Sequence, residues 1–264
     1  MKYLLGFIGC GNMGGALVRA AVRSGMSAIA VCDRDPEKTG ALCALPGVTA
    51  TDAADIAANA GFVVLGLKPQ VMEAGIAEFA DVLRERSDVT VITMAAGLSI
   101  AAIRGFIGAD VPVIRIMPNT AVSVGEGMIL YATEGVSGDA EDAFLTAFSC
   151  AGRFDRIPEG MIDAASAVSG CGPAFVYLFA EALADGAVEC GVPRDKAALY
   201  AAQTLRGAAR MLLEYGHPGD LKDAVCSPGG TTIAGVHALE RGGMRSAAMD
   251  AVTEAYRRTL ELKK

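Results

Sequence analysis

The stretch GFIGCGNMGGAL, residues 6–17, decides the fold of the amino-terminal half of the chain. An apolar run ends at Gly9, further glycines follow at positions 11 and 14, and apolar residues then recur at helical spacing. Strand, glycine turn and helix in this order form the G-x-G-x-x-G signature of dinucleotide-binding folds. Gly9 permits the sharp turn, Gly11 lets the backbone approach a pyrophosphate, and Gly14 lets the helix pack on the strand. The turn therefore predicts a dinucleotide cofactor.

An acidic residue, Asp33, ends the second predicted strand, nineteen residues beyond Gly14. At this place in a dinucleotide fold, a carboxylate accepts hydrogen bonds from the ribose hydroxyls of NAD, whereas an arginine pairs with the additional phosphate of NADP. Because Arg34 directly follows Asp33, NADH and NADPH both stay open. The alternative interpretation of this DRDPEK segment is a solvated, charged turn.

Strands and helices are predicted to alternate along the first 158 residues. The predicted strands cover residues 2–9, 28–32, 61–67, 89–94 and 111–117, and helix-like stretches surround residues 52–59, 71–84 and 100–106. This alternation predicts an α/β Rossmann-type fold with a doubly wound parallel sheet. Ligands bind at the carboxyl ends of such strands, so the loops at residues 66–69 and 95–97 are expected to contact the cofactor.

From about Glu159 onward no strand is predicted, and glycine and proline separate a series of helices. The predicted helices cover residues 174–190, 193–215, 221–225, 231–239 and 245–262. The chain is therefore divided near Pro158 into a dinucleotide-binding domain, residues 1–158, and an all-α domain, residues 159–264. The segment AFVYLFAEALADGAVEC in the second domain is apolar on nearly every side, which predicts burial against other helices and a homodimer formed through this half.

Composition excludes several classes of function. With 52% hydrophobic residues the chain is globular, and its net charge of −7 with scattered lysines and arginines argues against nucleic acid as a partner. Seven cysteines without a C-x-x-C pair, and only two histidines, indicate neither a disulfide framework nor a metal site. Neither a signal peptide nor a membrane-spanning segment is predicted, so we expect a cytoplasmic protein with reduced thiols.

A second glycine-rich turn, SPGGTT at residues 227–232, stands directly before an apolar helix. The first amides of a helix have no intrahelical partners, and they attract anions. The pair Gly229 and Gly230 allows close approach, so these amides could hold a small carboxylate while the Thr232 hydroxyl bonds a neighbouring heteroatom. Plain N-capping of the helix is the alternative interpretation.

Several segments together resemble the pyrroline-5-carboxylate reductase family. They span nearly the whole chain and are GFIGCGNMGGAL, LGLKPQ, the AAG turn, RIMPNTA, SGCGPAFVYLFAEALADGAVECGVPR and HPGDLKDAVCSPGGTTIAGVHALERGG. The last is the most specific, because few dehydrogenases have an LKD…SPGGTT loop in a helical domain. The resemblance implies reduction of the cyclic imine pyrroline-5-carboxylate to proline with NADPH or NADH, the last step of proline synthesis. It also implies dimers with intertwined C-terminal helices, which some members assemble into decamers.

The turns, the strand ends and the resemblance together give a set of expected site residues. The expected cofactor contacts are Ile8, Gly9, Cys10, Gly11, Asn12, Met13, Gly14, Asp33, Arg34, Gly66, Leu67, Lys68, Pro69, Ala95, Ala96, Gly97, Pro118 and Asn119. The expected substrate contacts are Glu159, Val225, Ser227, Gly229, Gly230, Thr231 and Thr232, with Thr232 as the catalytic hydroxyl near the ring nitrogen. Many family members have Ser, Asn or Thr where Asp33 stands, and the Asn that some use near Ala53 is absent, which leaves the cofactor preference open.

Two other functions are compatible with parts of the sequence. A β-hydroxyacid dehydrogenase also joins a Rossmann domain to a helical one, but it needs a catalytic lysine in a G-x-x-x-K setting, which Lys196, Lys222 and the terminal lysines 263 and 264 do not provide. A non-catalytic sensor of NAD(P) would use cofactor binding to shift an oligomer equilibrium. The SPGGTT turn argues against a sensor, since a sensor needs no second ligand site.

Overall fold

A computed structural model describes residues 2–262 of the chain. Contacts within it divide the described chain into two compact units, residues 2–171 with 255–262, and residues 172–254. The first unit contains the sheet and the second is helical. The predicted boundary at Pro158 assigns residues 159–171 to the helical domain. Their contacts instead place them in the first unit, which contains the sheet. The boundary at Pro158 stays a prediction for where the second domain begins.

A single eight-stranded sheet forms the centre of the first unit. Its strands are β1 (Tyr3–Ile8), β2 (Ile29–Cys32), β3 (Val48–Ala50), β4 (Ala60–Leu65), β5 (Thr90–Thr93), β6 (Val113–Met117), β7 (Gly127–Glu134) and β8 (Gly152–Arg156). They lie in the order β3-β2-β1-β4-β5-β6-β7-β8. The strand order reverses between β1 and β4, and this switch point is where open α/β sheets bind ligands. The predicted Rossmann-type sheet is confirmed.

The sheet differs from the predicted all-parallel arrangement at β7, which runs antiparallel to β6. Residues 118–126 connect these two strands through a short 3₁₀ turn, Thr120–Val124, and a parallel pairing needs a crossover of about a dozen residues or more. Strand β8 then pairs with β7 in parallel after a helical crossover. Three strands, β3, β7 and β8, were not predicted from the sequence.

Helices cover both faces of the sheet. In the first unit they are α1 (Asn12–Arg23), α2 (Pro36–Cys43), α3 (Ala53–Asn59), α4 (Pro69–Ala77), α5 (Ala80–Arg84), α6 (Ile100–Ile107), α7 (Gly138–Ala147) and α8 (Ile162–Ser169), with further 3₁₀ turns at Ser149–Ala151 and Glu159–Met161. One core packs α1, α2 and α7 on the sheet through Leu17, Leu42 and Phe144. The other packs α3 to α6 through Ile56, Ile76 and Ile103. This burial on two faces explains why β1 and β4 are almost entirely apolar.

A buried ion pair fixes α8 on the sheet. Arg115 of β6 is only 2% exposed, and its guanidinium donates to Asp163 of α8 at 2.8 Å. The Asn119 side-chain amide donates to the carbonyl of Ser169 at the other end of α8, over 2.9 Å. These polar contacts, together with the buried side chains of Ile162 and Ala167, hold the segment that follows the sheet.

The second unit contains long helices around a small core. They are α9 (Gly172–Glu189), α10 (Arg194–Tyr215), α11 (Pro218–Ala224), α12 (Thr231–Arg241) and the first part of α13 (Met244–Leu262). The buried cluster consists of Ala184, Ala197 and Ala201, with Val188 and Val192 packed against it. Large apolar side chains such as Leu178 and Leu213 are about 70% exposed. A single copy therefore leaves much apolar helix surface in water, as expected for a protein that oligomerises through this unit.

One helical stretch of the described chain, Glu159–Glu189, is long and apolar enough to cross a membrane by length and composition, with a mean hydropathy of 1.4. Gly170 and Cys171 interrupt it between α8 and α9. Core and interface helices of proteins that never enter a membrane meet the same criteria, so this stretch is weak evidence for a span.

Candidate active site

The glycine turn after β1 is built on close backbone contacts. Gly9 has φ +97°, a left-handed conformation that favours glycine. A Cβ on Gly66, at the end of β4, would lie 2.1 Å from the carbonyl oxygen of Gly9, and a Cβ on Gly14 would lie 2.4 Å from the same atom. Gly11 is different, because a Cβ there would meet no described atom within 4 Å. The turn thus leaves open space beside the first amides of α1, which is the room a pyrophosphate needs.

Substituting Gly14 is expected to damage this turn. Gly14→Ala should destabilise the protein by about 1–3 kcal/mol, because its methyl group overlaps the Gly9 carbonyl and pushes α1 away from β1. Thermal unfolding and a fluorescence titration with NADH measure the two consequences, a lower Tm and weaker binding. Gly15→Ala is the matched control, since its Cβ would lie an ordinary 3.6 Å from the Cys10 carbonyl. Equal Tm values for the two variants would contradict this account of the turn.

A cavity of about 330 Å³ opens at the switch point beside the turn. Eight of the residues expected to contact the cofactor line it: Ile8, Gly9, Gly11, Asp33, Arg34, Gly66, Leu67 and Lys68. They come from the carboxyl ends of three neighbouring strands, β2, β1 and β4. This cavity suits an extended, anionic dinucleotide. Open space lies beside Gly11 and the first amides of α1, and charged side chains border the cavity.

Asp33 is tied directly to the glycine turn. Its Oδ2 accepts a hydrogen bond from the Cys10 amide at 2.6 Å, and its Oδ1 accepts one from the Asp35 amide at 3.0 Å. Burial opposes the charge of this carboxyl, but the two amides and nearby Lys38 outweigh it and keep the pKa of Asp33 below its usual value. The Cys10 thiol, beside this anion, has its pKa raised to about 12 by burial and by Asp33, so it stays protonated.

Other expected cofactor residues lie outside this cavity. They are Cys10, Asn12, Met13, Gly14, Pro69, Ala95, Ala96, Gly97, Pro118 and Asn119. Cys10 and Asn12 line a second cavity, which shares Gly11 and Lys38 with the first. The Asn119 side chain supports its own loop, because its Oδ1 accepts from the Ala121 and Met128 amides while its Nδ2 bonds Ser169.

The structure adds cavity residues that sequence reasoning missed. Lys38, in the first turn of α2, and Glu78, which follows α4, both line the cavity. Neither lies at the end of a strand, so no strand-end motif identifies them. The charge-rich run DRDPEK was the available signal for Lys38.

The SPGGTT turn forms an open helix start in the second unit. Gly229 has φ +69°. Gly230 is the N-cap of α12, and a Cβ there would lie 2.4 Å from the Ser227 hydroxyl and 3.1 Å from the Ser227 carbonyl oxygen, so Ser227 would have to turn its side chain away. No side chain caps α12 within the described chain. Thr231 and Thr232 are exposed, and their hydroxyls make no hydrogen bond to described residues. The plain N-capping interpretation is therefore not what the structure shows, and the first amides and the Thr232 hydroxyl stay available to a ligand.

The two remaining expected substrate residues, Val225 and Glu159, lie outside this turn. Val225 ends α11 two residues before Ser227, and it is exposed. Glu159 belongs to the first unit, where its Oε1 accepts from the Ile100 amide at 2.7 Å and lies 3.3 Å from the Arg115 guanidinium. Its carboxylate therefore stabilises the start of α6 and screens a buried arginine. No cluster of described residues could hold a metal ion.

Comparison with known proteins assigns both parts of the chain. Residues 159–262 match the family model for pyrroline-5-carboxylate reductase dimerisation, and residues 4–97 match that for NADP oxidoreductase, coenzyme F420-dependent. The chain is 39% identical to pyrroline-5-carboxylate reductase of Escherichia coli K12, with both chains covered in full.

Solved structures agree with these matches. The chain is similar to a pyrroline-5-carboxylate reductase of Coxiella burnetii, with a TM-score of 0.90 and 32% sequence identity. It is also similar to the Plasmodium falciparum enzyme that was solved with NADP bound, with a TM-score of 0.86 and 27% identity. Each comparison covers the whole of both chains. On the glycine turn, the helical second unit and this full-length identity, the chain belongs to the pyrroline-5-carboxylate reductase family.

Proposed function

We propose that this chain reduces pyrroline-5-carboxylate to proline with NADH or NADPH, the last step of proline synthesis. The observation that carries the proposal is the full-length identity with named pyrroline-5-carboxylate reductases, which includes both the cofactor turn and the SPGGTT loop. A β-hydroxyacid dehydrogenase needs a catalytic lysine in a G-x-x-x-K setting, which this sequence lacks, and an NAD(P) sensor needs no second ligand site.

The residues of the first unit fit a bound dinucleotide. The open amides after Gly11 bind its pyrophosphate, and the ends of β2 and β4 border the cavity on either side of β1. When bound, the nicotinamide supplies the hydride. The first unit's part is to hold and orient this group, with Gly9, Gly14 and Gly66 allowing the backbones to approach one another.

The residues of the second unit fit the substrate. A pyrroline carboxylate is a small anion, and the amides of Gly230, Thr231 and Thr232 at the start of α12 bind its carboxylate. The Thr232 hydroxyl then holds the ring nitrogen, which arrives protonated or takes its proton through water. Reduction adds a hydride to the imine carbon, so positioning and charge stabilisation matter more than a side-chain acid. A chain with only two histidines is suited to that chemistry.

We expect the purified protein to be a homodimer or a larger even assembly. The dimerisation-family match and the exposed apolar side chains of the second unit support it, and decamers are the further assembly that the resemblance implies. Light scattering coupled to gel filtration should give at least twice the chain mass of 27.0 kDa. A monodisperse monomer at micromolar concentration would contradict the expectation.

A cytoplasmic location, with no nucleic acid and no membrane among the partners, completes the proposal. The net charge of −7 and seven cysteines without disulfides support it.

Turnover tests the function. Purified protein is mixed with pyrroline-5-carboxylate and either NADH or NADPH, and cofactor oxidation is followed by absorbance while proline is measured by mass spectrometry. Proline formed in proportion to cofactor consumed is the expected result. Cofactor binding without turnover would favour the sensor.

A further inference from the structure

The end of β2 presents a fixed anion to the cavity. Both oxygens of Asp33 accept backbone hydrogen bonds, from Cys10 and Asp35, and the side chain is only 13% exposed. It cannot turn away without breaking contacts with the glycine turn itself. In dinucleotide folds an acid at this place faces the adenosine ribose.

The cations near Asp33 already have acidic partners. The Arg34 guanidinium lies 3.8 Å from Glu78, and the Lys38 ammonium lies 3.8 Å from Asp33 and 3.4 Å from Asp35. The Arg34 side chain is 87% exposed and that of Glu78 is 65% exposed, and ion pairs as exposed as this one contribute little. Lys68, the third cation lining the cavity, follows β4, which lies two strands away from β2.

The two cofactors would meet this carboxylate differently. The ribose diol of NADH donates hydrogen bonds to a carboxylate, whereas the 2′-phosphate of NADPH is an anion and is repelled by it. Two neighbouring cations could compensate, but Arg34 is exposed and shared with Glu78, and Lys38 is shared between Asp33 and Asp35. We propose that Asp33 is the specificity-determining residue of this chain and makes it prefer NADH over NADPH. The inference rests on the proposed function in one respect, that the cavity holds a nicotinamide dinucleotide.

Binding of cofactor fragments tests the preference without the reaction. ADP-ribose and 2′-phospho-ADP-ribose differ only by the 2′-phosphate and carry no nicotinamide. By isothermal titration of the full chain, we expect ADP-ribose to bind about tenfold more tightly or better. Asp33→Asn, which keeps an oxygen for the Cys10 amide, and Asp33→Ser should each reduce this ratio by about tenfold or more. Retained Tm values show that both variants fold.

Asp35→Asn is the matched control, because it changes the net charge by the same amount and asparagine still caps α2. It should leave the ratio of the two affinities within about twofold of the wild type. Tighter binding of 2′-phospho-ADP-ribose by the wild type, an unchanged ratio in both Asp33 variants, or an equal shift in Asp35→Asn would each overturn the inference. Failure of the proposed function looks different: the fragment ratio holds, but neither NADH nor NADPH is oxidised with pyrroline-5-carboxylate.

Discussion

Thr232→Ala is expected to lower kcat/KM for pyrroline-5-carboxylate by about 100-fold, in the range found when one positioned donor is removed from an active site. Thr232 lies in the first turn of α12, next to amides that no described side chain caps. Because its hydroxyl makes no hydrogen bond to described residues, its removal costs no internal contact and should leave the Tm unchanged. Steady-state kinetics and a titration with NADH separate the loss of substrate positioning from cofactor binding, which should not change.

Two controls show whether the hydroxyl of this residue is responsible. Thr232→Ser keeps the hydroxyl and should retain most of the activity. Thr231→Ala removes the neighbouring hydroxyl from the same exposed turn and should have a much smaller effect. Wild-type efficiency in Thr232→Ala would show that Thr232 does not hold the imine.

Asp163→Ala is expected to destabilise the sheet unit by about 3 kcal/mol, because it removes the nearer and more buried of the two carboxylates beside the Arg115 guanidinium and leaves only Glu159, 3.3 Å away. Arg115 is 2% exposed, and its Nε already lacks a hydrogen-bond partner within the described chain. Urea unfolding at one fixed protein concentration measures the change, since oligomers gain stability with concentration.

The double variant Arg115→Met with Asp163→Leu removes both charges of this pair, while Glu159 keeps its hydrogen bond from the Ile100 amide, and it should recover much of the lost stability. The difference in unfolding free energy between the single and the double variant separates the cost of losing the charge partner from the cost of lost packing. If Asp163→Ala unfolded at the wild-type urea concentration, the ion pair would not be what holds α8 on the sheet.

Much of the fold was predictable because its signals are local. The glycine turn spans six residues, the acid at the end of β2 follows nineteen residues after Gly14, and each predicted strand or helix is marked by its own short run of residues. Strands β3 and β8 escaped prediction because β3 has three residues and β8, GRFDR, is largely exposed and polar. Strand β7 contains the apolar run MILYA, but no helix separates it from β6 to mark a further α/β repeat.

The candidate site was predictable only where a motif marks it. Gly9, Gly11 and Asp33 line the cavity as the signature implies. What Glu159 and Asn119 contact could not be foreseen, because their partners Ile100 and Ser169 lie 59 and 50 residues away in the chain. In the same way, an arginine inside the apolar strand VIRIM indicates a buried charge, but only the folded chain shows that Asp163 neutralises it.

Isotope transfer tests the central claim most directly, that this chain passes a hydride to a cyclic imine. The purified protein is incubated with pyrroline-5-carboxylate and NADH carrying deuterium at the reactive carbon of the nicotinamide, with each of the two diastereomers in turn. The account predicts that one diastereomer yields proline with a single deuterium on the former imine carbon, and that Thr232→Ala slows its formation. Proline without deuterium from both diastereomers, or no proline although NADH binds, would contradict it.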